Sequence, residues 1–241
     1  MVERVFVKVC GVTNEEDALM AVGLGADAIG FVFAPSPRQV TPGTARDIAR
    51  RLPPEILTVG VFRDQGHRFV IETTQHAQLR GVQLHGHETP AEAEKIRPYC
   101  QVLVVAFPAG DPGLAHVDDY GADAVLLDSH APGSGKVFDW SLAEGAPSNR
   151  RLILAGGLTA DNVAAGIAEV RPWGVDVSSG VEVTGQPGRK DALKVQAFIH
   201  AARAALPGAP AEMDAGGVGS EPAHEAAAAA RVPFDWRESG V

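Results

Sequence analysis

A chain of 241 residues with 45% hydrophobic content can bury a full core as one domain, and single-domain α/β barrels fall in this length range. A formal net charge of -9 excludes the basic footprint that nucleic acid or an anionic membrane surface selects. No apolar stretch of about 18 residues is present to cross a bilayer, and the chain enters a strand pattern at once without a signal-type leader, so a soluble, cytoplasmic protein is expected.

Apolar runs alternate with segments of helical period, the pattern of repeated βα units around a parallel sheet, and eight such units can be counted. The first run, Val5 to Cys10, ends on Gly11 ahead of Thr13-Asn14-Glu15-Glu16, and Glu15 to Leu24 reads as a helix with Ala18, Leu19 and Val22 on one face, stopped by Gly25. The second, Ala28 to Phe33, leads through Pro35, Pro37 and Arg38 to a helix opened by Thr41-Pro42 and running to Leu52. Leu57 to Phe62 is followed by a helix from about Gly66 to His76, and Gly81 to Gly86 by one capped by Thr89-Pro90. Gln101 to Phe107 precedes a short, weak helical segment from Pro112 to Tyr120.

Ala124 to Asp128 opens a loop, Ser129 to Lys136, and a helix starts at Asp139 to Ala143. Arg151 to Ala155 is closed by Gly156-Gly157-Leu158, with Thr159 capping a helix through Ala168. Gly174 to Val177 is closed by Ser178-Ser179-Gly180-Val181-Glu182, and the last helix runs from about Lys190 to Leu206. Residues 207–241 carry Pro207, Pro210, Gly216-Gly217 and an alanine run, with six acidic and two basic residues; so little apolar surface predicts a disordered or weakly helical tail.

Eight such units predict a closed (β/α)8 TIM barrel over residues 1–206, with residues 207–241 as a C-terminal extension. The competing open doubly wound sheet lacks the G-x-G-x-x-G that a dinucleotide site needs after the first strand.

In a barrel the carboxyl ends of the strands hold the chemistry. Cys10 and Asp128 end strands one and six and so face each other across the mouth, a thiol and a carboxyl group suited to exchange protons with one substrate. Each also has a plain structural reading, Cys10 as an inert buried thiol and Asp128 as a loop cap or an ion-pair partner of Lys136. Two glycine turns, at Gly156-Gly157 and at Ser179-Gly180, end adjacent strands and can aim backbone N–H groups at a phosphate. A single Gly-Gly would signify only a tight turn; two in neighbouring units favour the anion.

Arg38, in the loop after strand two, can pair with a substrate carboxylate or lie solvated at the surface. His85 lines the pocket at the end of strand four, and Asp176, within strand eight, orients donors near the phosphate turn. Gly133-Ser134-Gly135-Lys136 lacks the P-loop spacing and reads as a mobile lid. Cys100, the second of two cysteines, is assigned to packing at the amino-terminal face, and neither cysteine has metal or disulfide spacing.

Taken in order, Lys8-Val9-Cys10-Gly11, Ser36-Pro37-Arg38, Val82-Gln83-Leu84-His85-Gly86, Leu126-Leu127-Asp128, Gly133-Ser134-Gly135-Lys136 with Phe138-Asp139-Trp140, Leu154-Ala155-Gly156-Gly157-Leu158 and Asp176-Val177-Ser178-Ser179-Gly180-Val181-Glu182 resemble the motifs of the phosphoribosylanthranilate isomerase family of tryptophan biosynthesis, over about residues 4–206. The resemblance implies an Amadori rearrangement of N-(5-phosphoribosyl)anthranilate to 1-(2-carboxyphenylamino)-1-deoxyribulose 5-phosphate. It implies Asp128 as general acid, Cys10 as general base, Arg38 on the anthranilate carboxylate, and backbone donors of Gly157, Ser179 and Gly180 on the phosphate. No metal or organic cofactor is implied, and the expected partner is a small phosphosugar, with the chain a monomer or homodimer. Two alternatives stay open: a related sugar-phosphate isomerase of histidine biosynthesis, whose base is expected to be a carboxylate where Cys10 stands, and a catalytically silent phosphate-binding barrel.

Overall fold

A computed structural model of the chain describes residues 4–128 and 151–205. The Gly133-Ser134-Gly135-Lys136 loop, the helix start at Asp139 to Ala143 and the extension 207–241 lie outside the described residues. Eight parallel strands close on themselves in chain order: β1 (Phe6–Cys10), β2 (Ala28–Val32), β3 (Leu57–Phe62), β4 (Gly81–Leu84), β5 (Val102–Pro108), β6 (Ala124–Asp128), β7 (Arg151–Leu154) and β8 (Gly174–Val177). The closing pair is β1 with β8, in register Lys8 to Asp176, which excludes the open sheet.

The strands are buried on both faces because each separates two cores. Outward residues such as Val5, Val7 and Val9 pack with Ala18, Val22 and Phe198 of the helical ring, and inward residues such as Phe6, Val59, Val104, Leu126 and Ile153 fill the barrel. Burying each such side chain is worth about 1.5–3 kcal/mol relative to exposure. The helical ring comprises α1 (Glu15–Leu24), α2 (Pro42–Ala49), α3 (His67–Ala77), α4 (Pro90–Ile96), α5 (Val163–Val170) and α6 (Ala192–Ala204). Local chemistry sets their starts: Asn14, Thr41, Thr89 and Asp191 each accept from a backbone N–H of the first turn, and Thr89 with Glu92 forms a capping box.

Three helical expectations need correction. α2 stops at Ala49, and Arg51 and Leu52 turn more tightly, their N–H groups donating to Ile48 and Ala49. Pro53 accounts for this, since the residue before a proline is driven out of the helical region. Pro112–Tyr120 is a 3-10 helix: its apolar residues Leu114, Val117 and Tyr120 recur every three positions, the 3-10 period, and Tyr120 packs edge-on against Phe107 at 5.7 Å. Thr159 does not cap α5; Asn162 Oδ1 accepts its N–H at 2.8 Å and Asn162 Nδ2 donates to the Gly157 carbonyl, so a side-chain-closed turn precedes the helix.

Candidate active site

Alternate residues of a strand face opposite sides, so Phe6, Lys8 and Cys10 climb the inside of the barrel along β1. Phe6 stacks on Trp173 (centroids 4.5 Å) with the Arg151 guanidinium 5.4 Å over the indole, which closes the amino-terminal floor. Above it Lys8, 1% exposed, places Nζ 3.0 Å from Asp176 Oδ1. Cys10, at the top, borders a pocket of about 260 Å³ at the carboxyl ends of the strands.

That pocket gathers the residues to which the sequence gave a place in the site: Cys10, Arg38, His85, Asp128, Gly156, Gly157, Asp176, Ser179 and Gly180 all line it. A wider groove of about 530 Å³ shares His85 and Asp128 as a common wall and extends over Phe107 and Tyr120.

Asp128 is held from one side. Gln83 Nε2 donates to His85 Nδ1 at 2.9 Å, which leaves His85 Nε2 as the protonated nitrogen, 3.1 Å from Asp128 Oδ2. Gln83 is 1% exposed, and among the described residues its Oε1 finds no partner while its Nε2 orients the imidazole.

Around Cys10 the charges are dense. Burial pushes its thiol above the ordinary value; the Lys8 ammonium is the strongest counterweight, the Asp176 carboxylate adds to the rise, and Lys190 pulls it down again. Burial also disfavours a charged Lys8, but Asp176 and Cys10 together hold its pKa above the ordinary value. Arg38 binds Glu182 in a paired geometry, Nε to Oε1 at 2.6 Å and Nη2 to Oε2 at 2.7 Å. Lys190 Nζ reaches the same carboxylate at 3.2 Å and donates to the Ser178 carbonyl at 3.1 Å. Burial works against the Glu182 charge, yet Arg38, Lys190 and the Gly188 amide keep its pKa below the usual carboxylate range.

Two expectations change in detail here. Arg38 does not stand alone at the surface: one edge of its fork is taken by Glu182. Asp176 orients a donor, but that donor is Lys8 inside the barrel and not a group of the glycine turns.

The two glycine turns interlock. Gly156 and Gly157 both have positive φ, 88° and 63°, and a Cβ on Gly180 would collide with the Leu158 carbonyl, so only glycine lets the β8 loop lie against the β7 loop. Among the described residues, the N–H groups of Gly157, Ser179 and Gly180 have no acceptor. Amides left over at adjoining turns are groups that can bind an anion.

Lys8, Gln83, Glu182 and Lys190 received no role from the sequence. Lys8 and Gln83 did leave a signal, each a polar residue two positions before a site residue on an otherwise apolar strand. Glu182 stands in loop sequence and Lys190 at the expected start of the last helix, where polar residues are ordinary.

Fold and pocket together define the class: a (β/α)8-barrel enzyme working from the carboxyl rim of its strands. The model of the N-(5'phosphoribosyl)anthranilate (PRA) isomerase family matches residues 7–201. An N-(5'-phosphoribosyl)anthranilate isomerase of Desulforudis audaxviator is 48% identical over 207 residues, 83% of this chain and 98% of that protein. The phosphoribosyl anthranilate isomerase structure from Thermus thermophilus matches at TM-score 0.74 and 40% identity, covering 82% of this chain and 98% of the other. Another solved structure of such an enzyme, in complex with reduced 1-(o-carboxyphenylamino)-1-deoxyribulose 5-phosphate, matches at TM-score 0.71 and 38% identity over the same shares. The chain belongs to the N-(5'-phosphoribosyl)anthranilate isomerase family, and its activity is that aldose-to-ketose isomerisation of tryptophan biosynthesis.

Proposed function

We propose that the isomerisation runs by general acid–base catalysis, with Asp128 as acid and Cys10 as base, on a substrate anchored at both ends. The phosphate occupies the cup of Gly156, Gly157, Ser179 and Gly180, and the anthranilate carboxylate takes the outward edge of Arg38. Protonated Asp128 gives its proton to the furanose ring oxygen as the C1–O bond breaks, and the anthranilate nitrogen lone pair forms the C1=N bond of an iminium. The Cys10 thiolate then takes the proton from C2; that C–H pair becomes the C1=C2 bond and the iminium nitrogen recovers its lone pair. The resulting enolamine loses its O2 proton and gains one at C1, giving the aminoketone. The iminium is itself the electron sink, so the scheme assigns no step to a metal or organic cofactor.

One observation carries this reading: Cys10 and Asp128, from β1 and β6, line a single pocket with two glycine turns whose Gly157, Ser179 and Gly180 amides have no acceptor among the described residues. The solved relative holding a reduced phosphorylated product analogue supports a phosphosugar of this size as the ligand. The test is turnover, followed by loss of anthranilate-type fluorescence. Cys10→Ala and Asp128→Ala each lower kcat by about a hundredfold or more with the fold intact, the usual cost of removing a general acid or base. Full activity in either variant refutes the assignment.

Residues 1–206 form the catalytic domain in this proposal and residues 207–241 an extension that the chemistry does not need, so truncation after Leu206 leaves kcat and KM unchanged. No described helix is long and apolar enough to cross a membrane, and a cytoplasmic location is part of the proposal. A relative from Thermotoga maritima is described as dimeric, with monomers generated from it; sedimentation decides between monomer and homodimer for this chain.

A further inference from the structure

Of the groups that face Cys10, Lys8 is one to which the acid–base scheme gives no task, and three observations bear on it. The first is its cost. A lysine 1% exposed inside a barrel is tolerated only with a partner, and Asp176 supplies one at 3.0 Å. Well-packed apolar residues in place of a buried ion pair are often as stable or more so, so fold stability alone does not account for the pair.

The second is position. Lys8 stands two residues below Cys10 on the same inner face of β1, and Gly30 of the neighbouring strand leaves the space that both side chains need. A Cβ on Gly30 would lie 2.8 Å from Cys10 Sγ and 3.1 Å from Lys8 Nζ. The third is the charge inventory. Facing the thiol are Lys8 from β1, Asp176 from β8, Arg38 from the β2 loop and Lys190 from the segment after β8, with Glu182 bonded to both Arg38 and Lys190. With Asp128 protonated, as the acid–base scheme has it, three cations against two anions leave one positive charge over while Cys10 is neutral. Asp128 and His85 face the pocket from β6 and the end of β4 and are bonded to each other.

We propose that Lys8 is a positioning residue of the reaction: its ammonium, pinned by Asp176, holds the negative charge of the Cys10 thiolate at the closed end of the pocket. Ionisation of Cys10 then completes the charge balance of the cluster instead of burying a lone anion. Lys8 acts through Cys10 and needs no contact with the substrate.

The experiment uses full-length chain carrying Cys100→Ser, so that Cys10 is the one thiol, and follows iodoacetamide alkylation against pH for the parent, Lys8→Met and Lys8→Met/Asp176→Asn. Loss of a cation in contact with a thiol raises its alkylation midpoint by about one pH unit or more, an approximately tenfold loss of thiolate at neutral pH. Lys8→Met shows this shift; the double variant, relieved of the unpaired Asp176 charge, shows a smaller rise in the same direction. kcat falls in step at neutral pH and recovers as pH is raised. An unmoved midpoint in the double variant, or a kcat loss equal at every pH, overturns the proposal. If Lys8→Met does not fold by circular dichroism, the double variant decides, and a double variant that does not fold assigns the pair to the fold and also overturns it.

The turnover arm rests on Cys10 being the base, whereas the alkylation arm does not. Retained activity in Cys10→Ala removes the base assignment and leaves the alkylation shift standing. An unmoved midpoint removes the Lys8 role and leaves the base assignment standing.

Discussion

His85 Nε2 lies 3.1 Å from Asp128 Oδ2, and the imidazole is itself fixed by the buried amide of Gln83 at 2.9 Å. Asp128, the proposed acid, is therefore held by a two-link chain that starts on β4. A hydrogen bond to the carboxylate that Asp128 becomes as it gives up its proton is worth about 1.5–3 kcal/mol, so His85→Ala lowers kcat by about ten- to a hundredfold, less than Asp128→Ala. Gln83→Leu, which leaves the imidazole unanchored, lowers it by a smaller factor. Steady-state kinetics check the order; His85→Ala with unchanged kcat would remove the chain from the mechanism.

Arg38 and Glu182 make a paired ion bridge at 2.6 and 2.7 Å. If Arg38 grips the substrate carboxylate in ground and transition states alike, Arg38→Ala raises KM with kcat little changed. Glu182→Gln keeps the size of the side chain but loosens the guanidinium, and its KM rises by a smaller factor. An effect on kcat alone in Arg38→Ala counts against the clamp.

Gly180 packs against the Leu158 carbonyl so closely that a methyl group has to displace backbone. Gly180→Ala thus opens the anion cup. Its signature is weaker competitive inhibition by inorganic phosphate together with a raised KM, while circular dichroism still reports a folded barrel and the melting temperature falls. Unchanged phosphate inhibition would place the phosphate elsewhere.

Alkaline pH acts on Cys100. Burial pushes its thiol from the ordinary 9.0 up to about 11. The raised folded-state value means that its contribution to stability is complete below about pH 9, where the unfolded chain still holds the proton, and is lost as pH rises toward 11. Cys100→Ser removes that part of the alkaline decline. Urea midpoints measured between pH 8 and 11 run flatter in the variant than in the parent, and parallel curves would show that the thiol carries none of the slope.

Much of this molecule is a matter of short-range pattern. The alternation of apolar runs with capped amphipathic helices is written within windows of a few residues, and so are the proline and glycine punctuation between them; all eight strands follow from it within a residue or two. The period failed where a local competitor intervened, as at Asn162, whose side chain closes a turn before α5 can start. Cys10, Arg38, His85, Asp128 and the glycine turns were legible because each sits where a run ends, and a barrel sends all such ends to one rim.

Partnership was not legible. Lys8 and Asp176 are 168 positions apart and Arg38 and Glu182 are 144 apart; nothing in either neighbourhood names the other. The residue types along the chain determined a barrel and which side chains reach its mouth. Only closure of β1 on β8, with the register it imposes, decided which buried charges neutralise one another, because that energy depends on distances across the barrel that no local sequence pattern encodes.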